Sequence, residues 1–229
     1  MIKRSGWLVP LAVFVASACA SSVVLVYYFA FRTSLPAQER PVLTDSTRSV
    51  AFSLGNAALH VPANYIPLPS VRRGGPVKEL GLIAILPNLR GYSLDEAQDF
   101  TANDSRIVAL TLRAGQTVLP EQDQFDQLYA EQMQDPEGQE GPFGLKQYEF
   151  REGSAYRAKD LLVGTTDNGR TLLLCGKITP ENMTPSCLRV MPLMHGFSLT
   201  YRFKRAQLSQ WQSMDAAVRG LIAAFAGVD

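Results

Sequence analysis

The segment from Phe197 to Ala226, FSLTYRFKRAQLSQWQSMDAAVRGLIAAFA, decides the fold. In its first eight residues Phe197, Leu199, Tyr201 and Phe203 alternate with Ser198, Thr200, Arg202 and Lys204. A repeat of two sends successive side chains to opposite faces of a strand, so this strand sets one face on a core and the other toward water. From Arg205 the period changes. Leu208, Trp211, Met214, Val218, Leu221, Ile222 and Phe225 recur at helical spacing, and Gly227 is suited to end the helix in a left-handed conformation. An apolar stripe on a helix needs a partner, and the apolar face of the strand just upstream is the natural one. The expected fold class is α+β: an N-terminal transmembrane helix followed by an antiparallel β-sheet domain packed by two or three helices, the longest at the C-terminus.

Further strands are expected on either side. Val50, Phe52 and Leu54 alternate, Gly55-Asn56 is a turn signal, and Leu59 to Val61 resumes, which reads as a hairpin. Apolar runs of strand length follow at 78–86, 106–113, 146–151, 156–165, 170–178 and 187–193, with a turn at Asp167-Asn168-Gly169. Two more helices are expected. One starts at Ser93, where Ser93 and Glu96 have capping-box spacing. The other covers 121–134, placing Phe125, Leu128, Tyr129 and Met133 near one face before Asp135-Pro136.

The chain begins differently. From Trp7 to Phe31 the ionisable side chains are Cys19, Tyr27 and Tyr28, and a helix over 7–31 would run about 37 Å, longer than a hydrocarbon core of about 30 Å. Lys3 and Arg4 also resemble the basic start of a signal peptide, and Ala16-Ser17-Ala18 and Ala18-Cys19-Ala20 both satisfy the small-residue cleavage rule. Cleavage at either point, or lipidation at Cys19, would leave the apolar run from Val23 to Phe29 on the mature chain. The preferred reading is therefore an uncleaved signal-anchor that meets the lipid bilayer through residues 7–31. Lys3 and Arg4 before the span, against Arg32 directly after it, orient the N-terminus to the cytoplasm. The expected organisation is a cytoplasmic tail at 1–6, a transmembrane helix at 7–31, a polar linker at 32–48 with two prolines, and an extracytoplasmic domain at 49–229. This places the protein in a bacterial inner membrane as a single-pass chain with a periplasmic C-terminal domain.

Cysteine usage agrees with that orientation. Cys175 ends one apolar run and Cys187 opens the next, so if the two runs are antiparallel neighbours the two residues face each other at disulfide distance. A periplasmic domain favours the disulfide Cys175–Cys187 over two buried thiols. The spacing, with no nearby histidine pair, does not resemble a zinc site.

Composition narrows the function. A net charge of +1 lacks the basic excess that phosphate neutralisation requires, so no nucleic acid is expected as a partner. Nucleophile elbows, phosphate loops, dinucleotide fingerprints, helical metal pairs and calcium loops are absent from the sequence. Neither histidine, His60 or His195, lies in a catalytic spacing, and the acidic groups at 95–99 and 135–140 lack the ligand alternation a hard cation needs. No cofactor, metal ligand or catalytic residue is assigned. The polar cluster to name is Arg72, Arg73, Gly74 and Gly75 between two strands. Loop donors beside two guanidinium groups suit a carboxylate or phosphate, although a basic turn whose glycines supply positive φ explains the same composition.

The pattern VPANYI…RRGG…LGLIAILPNLRGYS, over residues 61–93, resembles single-span, envelope-facing bacterial membrane proteins of no known activity. That resemblance covers about a fifth of the chain and implies location, not mechanism. Two function classes follow. The first is a membrane-anchored periplasmic binding or accessory module that contacts a protein partner in the cell envelope without catalysis. The alternative is an envelope enzyme acting on a cell-wall or small acidic substrate through carboxylates that a single sequence does not identify.

Overall fold

The computed structural model describes residues 8–32, 39–100, 102, 105–166, 169–193 and 196–227. It divides into two compact units, Met1–Arg40 and Pro41–Asp229. His195 and Asn103, and the Asp167-Asn168 part of the expected turn, lie outside the described residues.

In the first unit, helix α1 spans Leu8–Arg32. Its side chains over 11–27 are exposed on every side, including Phe14, Val15, Val23, Val24 and Leu25. Here the expected transmembrane helix needs a correction. Among the described residues no helix is long and apolar enough to cross a membrane. Ser17, Cys19, Ser21 and Ser22 lie among its apolar side chains and lower its apolar character. Among the described residues the structure thus establishes an exposed helix and does not show a span.

The second unit is a mixed α+β domain. A small sheet holds β1 (Ser49–Leu54), β2 (Ala57–Pro62) and β3 (Gly75–Val77) in the order β2-β1-β3. β1 and β2 form the expected hairpin, from Leu54 opposite Ala57 to Ser49 opposite Pro62, whereas β1 and β3 run parallel. The short strand β3 had no periodicity to announce it, and neither did the parallel pairing. The large sheet contains β4 (Glu79–Ile85), β5 (Ile107–Ala114), β6 (Gln139–Glu140), β7 (Lys146–Glu149), β8 (Lys159–Thr166), β9 (Gly169–Gly176), β10 (Ser186–Leu193) and β11 (Phe197–Lys204). Its eight strands are antiparallel throughout, in the order β4-β5-β11-β10-β9-β8-β7-β6.

Two apolar clusters form the core, one on each face of the large sheet. On the first face, alternate residues of β4, β5 and β11, such as Leu82, Leu110, Leu199 and Phe203, meet Phe52 and Val61 of the small sheet. Helix α3 (Trp211–Ala226) supplies Trp211, Met214, Val218, Ile222 and Phe225 to the same cluster. The stripe read from the sequence is thus the buried face of α3, which starts at Trp211 because Arg205–Gln210 is a tighter 3₁₀ stretch. Gly227 closes the helix at φ 65°, with its N–H reaching the carbonyl of Ala224. The indole of Trp211 lies against β8 where a side chain would not fit: a Cβ on Gly164 would come within 2.4 Å of its ring.

The opposite face is covered only toward β7, β8 and β9, where Leu161, Leu172, Leu174, Tyr148 and Phe150 pack with Phe125 and Tyr129. The expected helix over 121–134 is broken here. A short helix α2 (Glu121–Gln124) passes into a wider π turn at Phe125–Tyr129 and a 3₁₀ turn at Ala130–Gln132. The widened turn sets Phe125 edge-on to Tyr148 and Tyr129 edge-on to Phe150, at centroid separations of 5.3 and 6.0 Å. The helix expected from Ser93 is a 3₁₀ segment, Leu94–Phe100, and the Ser93 hydroxyl donates to the Glu96 carboxylate, 3.3 Å away, instead of forming the reciprocal capping box.

Strands β9 and β10 are paired only at Cys175 opposite Cys187 and Leu174 opposite Leu188. Beyond that point the carbonyl of Val190 accepts from the side-chain amide of Gln124, which also donates to Leu119. A part-buried carbonyl beyond the interrupted ladder thus receives a donor from α2, in keeping with the pairing of backbone polar groups that are removed from water.

Candidate functional site

The cysteine pair is the one expected. Cys175 and Cys187 form a disulfide between directly opposed residues of β9 and β10, with Cα atoms 3.9 Å apart, and both are fully buried. Cys19 is a free, exposed thiol on α1.

The cluster Arg72, Arg73, Gly74 and Gly75 sits between a 3₁₀ turn at Val71–Arg73 and β3. Its guanidinium groups are directed at the backbone. Arg72 donates through Nε to the carbonyl of Ile66 at 2.9 Å and through Nη2 to that of Val42, while Arg73 Nε donates to the carbonyl of Ser70 at 3.2 Å. Gly74 has φ 74°, and a Cβ there would lie 2.5 Å from the carbonyl oxygen of Ala51. These contacts fasten the turn beside β1 and draw residue 42 onto the domain. His60 is exposed on β2.

The sequence reading missed a buried ionic cluster. Arg189 on β10 shares the inward parity of Cys187 and Met191 and is 1% exposed. Its Nη1 pairs with Asp215 Oδ1 of α3, and its Nη2 lies 3.2 Å from Glu121 Oε1 of α2. The Tyr201 hydroxyl donates to the same Asp215 oxygen at 3.1 Å, and Arg219 Nε approaches Asp215 Oδ2 at 3.3 Å. Among the described residues Nε of Arg189 meets no acceptor. Burial pushes the Tyr201 phenol well above its ordinary range. For Arg189, burial acts to lower the pKa, but charge and hydrogen-bond interactions with Tyr201, Asp215 and Glu121 outweigh it and leave the value raised. The signal that would have found this cluster is a pair of opposite charges at core-facing positions: Arg189 within CLRVM and Asp215 beside Met214 in the helical stripe.

Arg219 also lines a cavity of about 560 Å3. Its walls come from the β1–β2 hairpin, the ends of β5, β10 and β11, and the last turns of α3. Leu54, Leu59, Leu193, Phe197 and Ile222 supply apolar surface, and the alanines at 57, 58, 223 and 226 leave the space open. Among the described lining residues only Asn56 and Arg219 carry polar side chains. A concave, mostly apolar site with very few polar groups is the usual form of a small-ligand pocket.

These features define an α+β domain in which an eight-stranded antiparallel sheet carries a C-terminal helix and a small side sheet on one face. No protein-family model matches the sequence, and a search of characterised proteins gives no match. Two solved structures are similar in fold. One is Smlt3025, an immunity protein of the Stenotrophomonas maltophilia type IV secretion system, with a TM-score of 0.56 at 16% identity, covering 82% of this chain and 99% of that one. The other is FrpD, the Neisseria meningitidis iron-regulated outer membrane lipoprotein, with a TM-score of 0.54 at 10% identity, covering 83% of this chain and 98% of that one. At these identities the likeness establishes the shared fold.

Proposed function

We propose that this chain is a membrane-anchored, non-catalytic binding or accessory protein of the bacterial cell envelope. In this reading residues 7–31 hold it in the inner membrane with the N-terminus cytoplasmic. The Pro41–Asp229 domain then contacts a protein partner in the periplasm. The observation that carries the reading is an exposed and predominantly apolar helix ahead of a disulfide-bonded domain. A helix that exposes mostly apolar side chains is poorly suited to water and is at home in lipid. The sequence over 7–31 continues the apolar run beyond the stretch whose side chains are described, long enough to cross with some tilt. A disulfide persists in an oxidising compartment, on the side away from Lys3 and Arg4. The similar folds of a secretion-system immunity protein and an envelope lipoprotein support the same assignment.

Paired C-terminal fusions test it. Alkaline phosphatase, which needs the periplasm, should be active on the full chain, and a fluorescent protein that matures only in the cytosol should be dark. Crosslinking in intact cells followed by capture should recover one envelope protein with the full chain and lose it when residues 1–31 are removed. The reverse reporter pattern, or a mature chain beginning after Ala18 or Ala20, would overturn the anchored topology.

A further inference from the structure

The cavity beside Arg219 is assigned to nothing in the membrane-anchored reading and does not depend on it. We infer that it is a binding site for a single-chain amphipathic carboxylate, with the acyl chain along the apolar walls and the carboxylate on the terminal nitrogens of Arg219. Four observations lead there.

The space is a concavity of about 560 Å3, within the size range of small-ligand pockets, and its walls are almost wholly apolar. Ala57, Ala58, Ala223 and Ala226 face it where larger residues would fill it. An apolar body is therefore the part of a ligand that most of the surface accommodates. Among the described lining residues Arg219 supplies the single charged side chain, and that side chain is 29% exposed, held in the wall and still open to the cavity. Its Nε is engaged by Asp215 Oδ2, which fixes the guanidinium plane, whereas among the described residues no acceptor meets Nη1 or Nη2. Asp215 is shared with Arg189 and accepts from Tyr201, and Glu121 balances the second guanidinium, so what Arg219 offers a ligand is its unengaged N–H edge and not an excess charge. The free edge of a planar guanidinium presents two parallel N–H groups, matched to the two oxygens of a carboxylate. Asn56, at the hairpin turn, is the remaining polar group at the site.

The site selects on both ends of the ligand, so the test varies them separately. Full chain in phosphatidylcholine nanodiscs would be labelled with a decanoate bearing a terminal diazirine, and the labelled peptides mapped after photolysis. Label is expected on 54–59 and 219–226, displaced by decanoate at least tenfold better than by decanol or decyltrimethylammonium. Arg219→Gln should reduce the preference for decanoate over decanol to less than threefold, and Arg219→Lys should restore part of it. Ala223→Phe, which fills the cavity, should abolish labelling at these peptides while the thermal midpoint stays within a few degrees of the parent. Label spread along the chain, displacement indifferent to the head group, or undiminished labelling of a folded Ala223→Phe chain would each overturn the proposal. Because none of these readouts uses membrane orientation or a protein partner, failure here leaves the envelope reading standing, and the converse holds.

Discussion

The guanidinium of Arg189 on β10 and the carboxylate of Asp215 on α3 form an ion pair across the interface between the large sheet and its covering helix, each 1% exposed. The charges leave water together and compensate each other, with Glu121 a less buried second partner of Arg189 and Arg219 one of Asp215. Removing one partner of a buried pair leaves an uncompensated charge and costs about 3 to 5 kcal/mol. Asp215→Ala and Arg189→Met should each lower the unfolding free energy by about that amount. The double variant should lose clearly less than the sum, because the second change removes the charge that the first stranded. Urea denaturation of the four proteins measures this, and additive losses would show that the two side chains are not coupled.

The disulfide gives a second cycle. Cys175 and Cys187 close a loop with a sequence separation of 12, for which the chain-entropy estimate is about 3 kcal/mol. Cys175→Ser and Cys187→Ser should lower the denaturation midpoint alike, and the double variant should be no less stable than either one. Reduction of the parent should reproduce the loss.

Trp211 tests the contact between α3 and β8. Its ring is 3% exposed, and its Nε1 donates to the carbonyl of Phe143 at 3.2 Å. Trp211→Ala should cost about 3 to 5 kcal/mol through the cavity it opens. The reciprocal change, Gly164→Ala, should cost about 1 to 3 kcal/mol by overpacking, since its methyl would overlap the indole. A Gly164→Ala chain as stable as the parent would show that the ring lies elsewhere.

Tyr201 predicts an alkaline response. Its folded pKa is raised by burial, so the neutral phenol is favoured in the fold, while the unfolded chain releases this proton near pH 10. The stabilisation is complete below about pH 10 and declines as pH rises toward the folded value, by up to about 1.4 kcal/mol per pH unit for this single proton. Tyr65 and Tyr129, both raised chiefly by burial, act in the same direction. In unfolding series between pH 8 and 11, Tyr201→Phe should start less stable for want of its bond to Asp215, and should then lose stability less steeply than the parent. Parallel curves would show that Tyr201 does not titrate with folding.

Much of the domain was legible one element at a time. The two-residue repeat of Phe197 to Lys204, the stripe from Trp211 to Phe225 and the Gly55-Asn56 turn each identify an element because the pattern is local: it needs only one face in oil and one in water. The same locality brought Cys175 and Cys187 opposite each other once their strands were read as neighbours. The break at Phe125 was not legible, since Phe125 and Tyr129 of the π turn meet Tyr148 on β7 and Phe150 just after it, partners distant in sequence. For α1 the apolar run was plain in the sequence, yet among the described residues no helix is long and apolar enough to cross a membrane.

By itself, then, the sequence determined an α+β chain with a closing helix, a cysteine pair and an apolar N-terminal run, because periodicity and hydrophobicity act between near neighbours. Only the tertiary structure decided which strands adjoin, which face α3 covers, and that Arg189, Asp215, Tyr201 and Arg219 meet beside an apolar cavity. Those residues lie on β10, β11 and α3, and the energy that joins the strands' side chains to the helix, a shared carboxylate removed from water, exists only after the sheet and helix have closed over it.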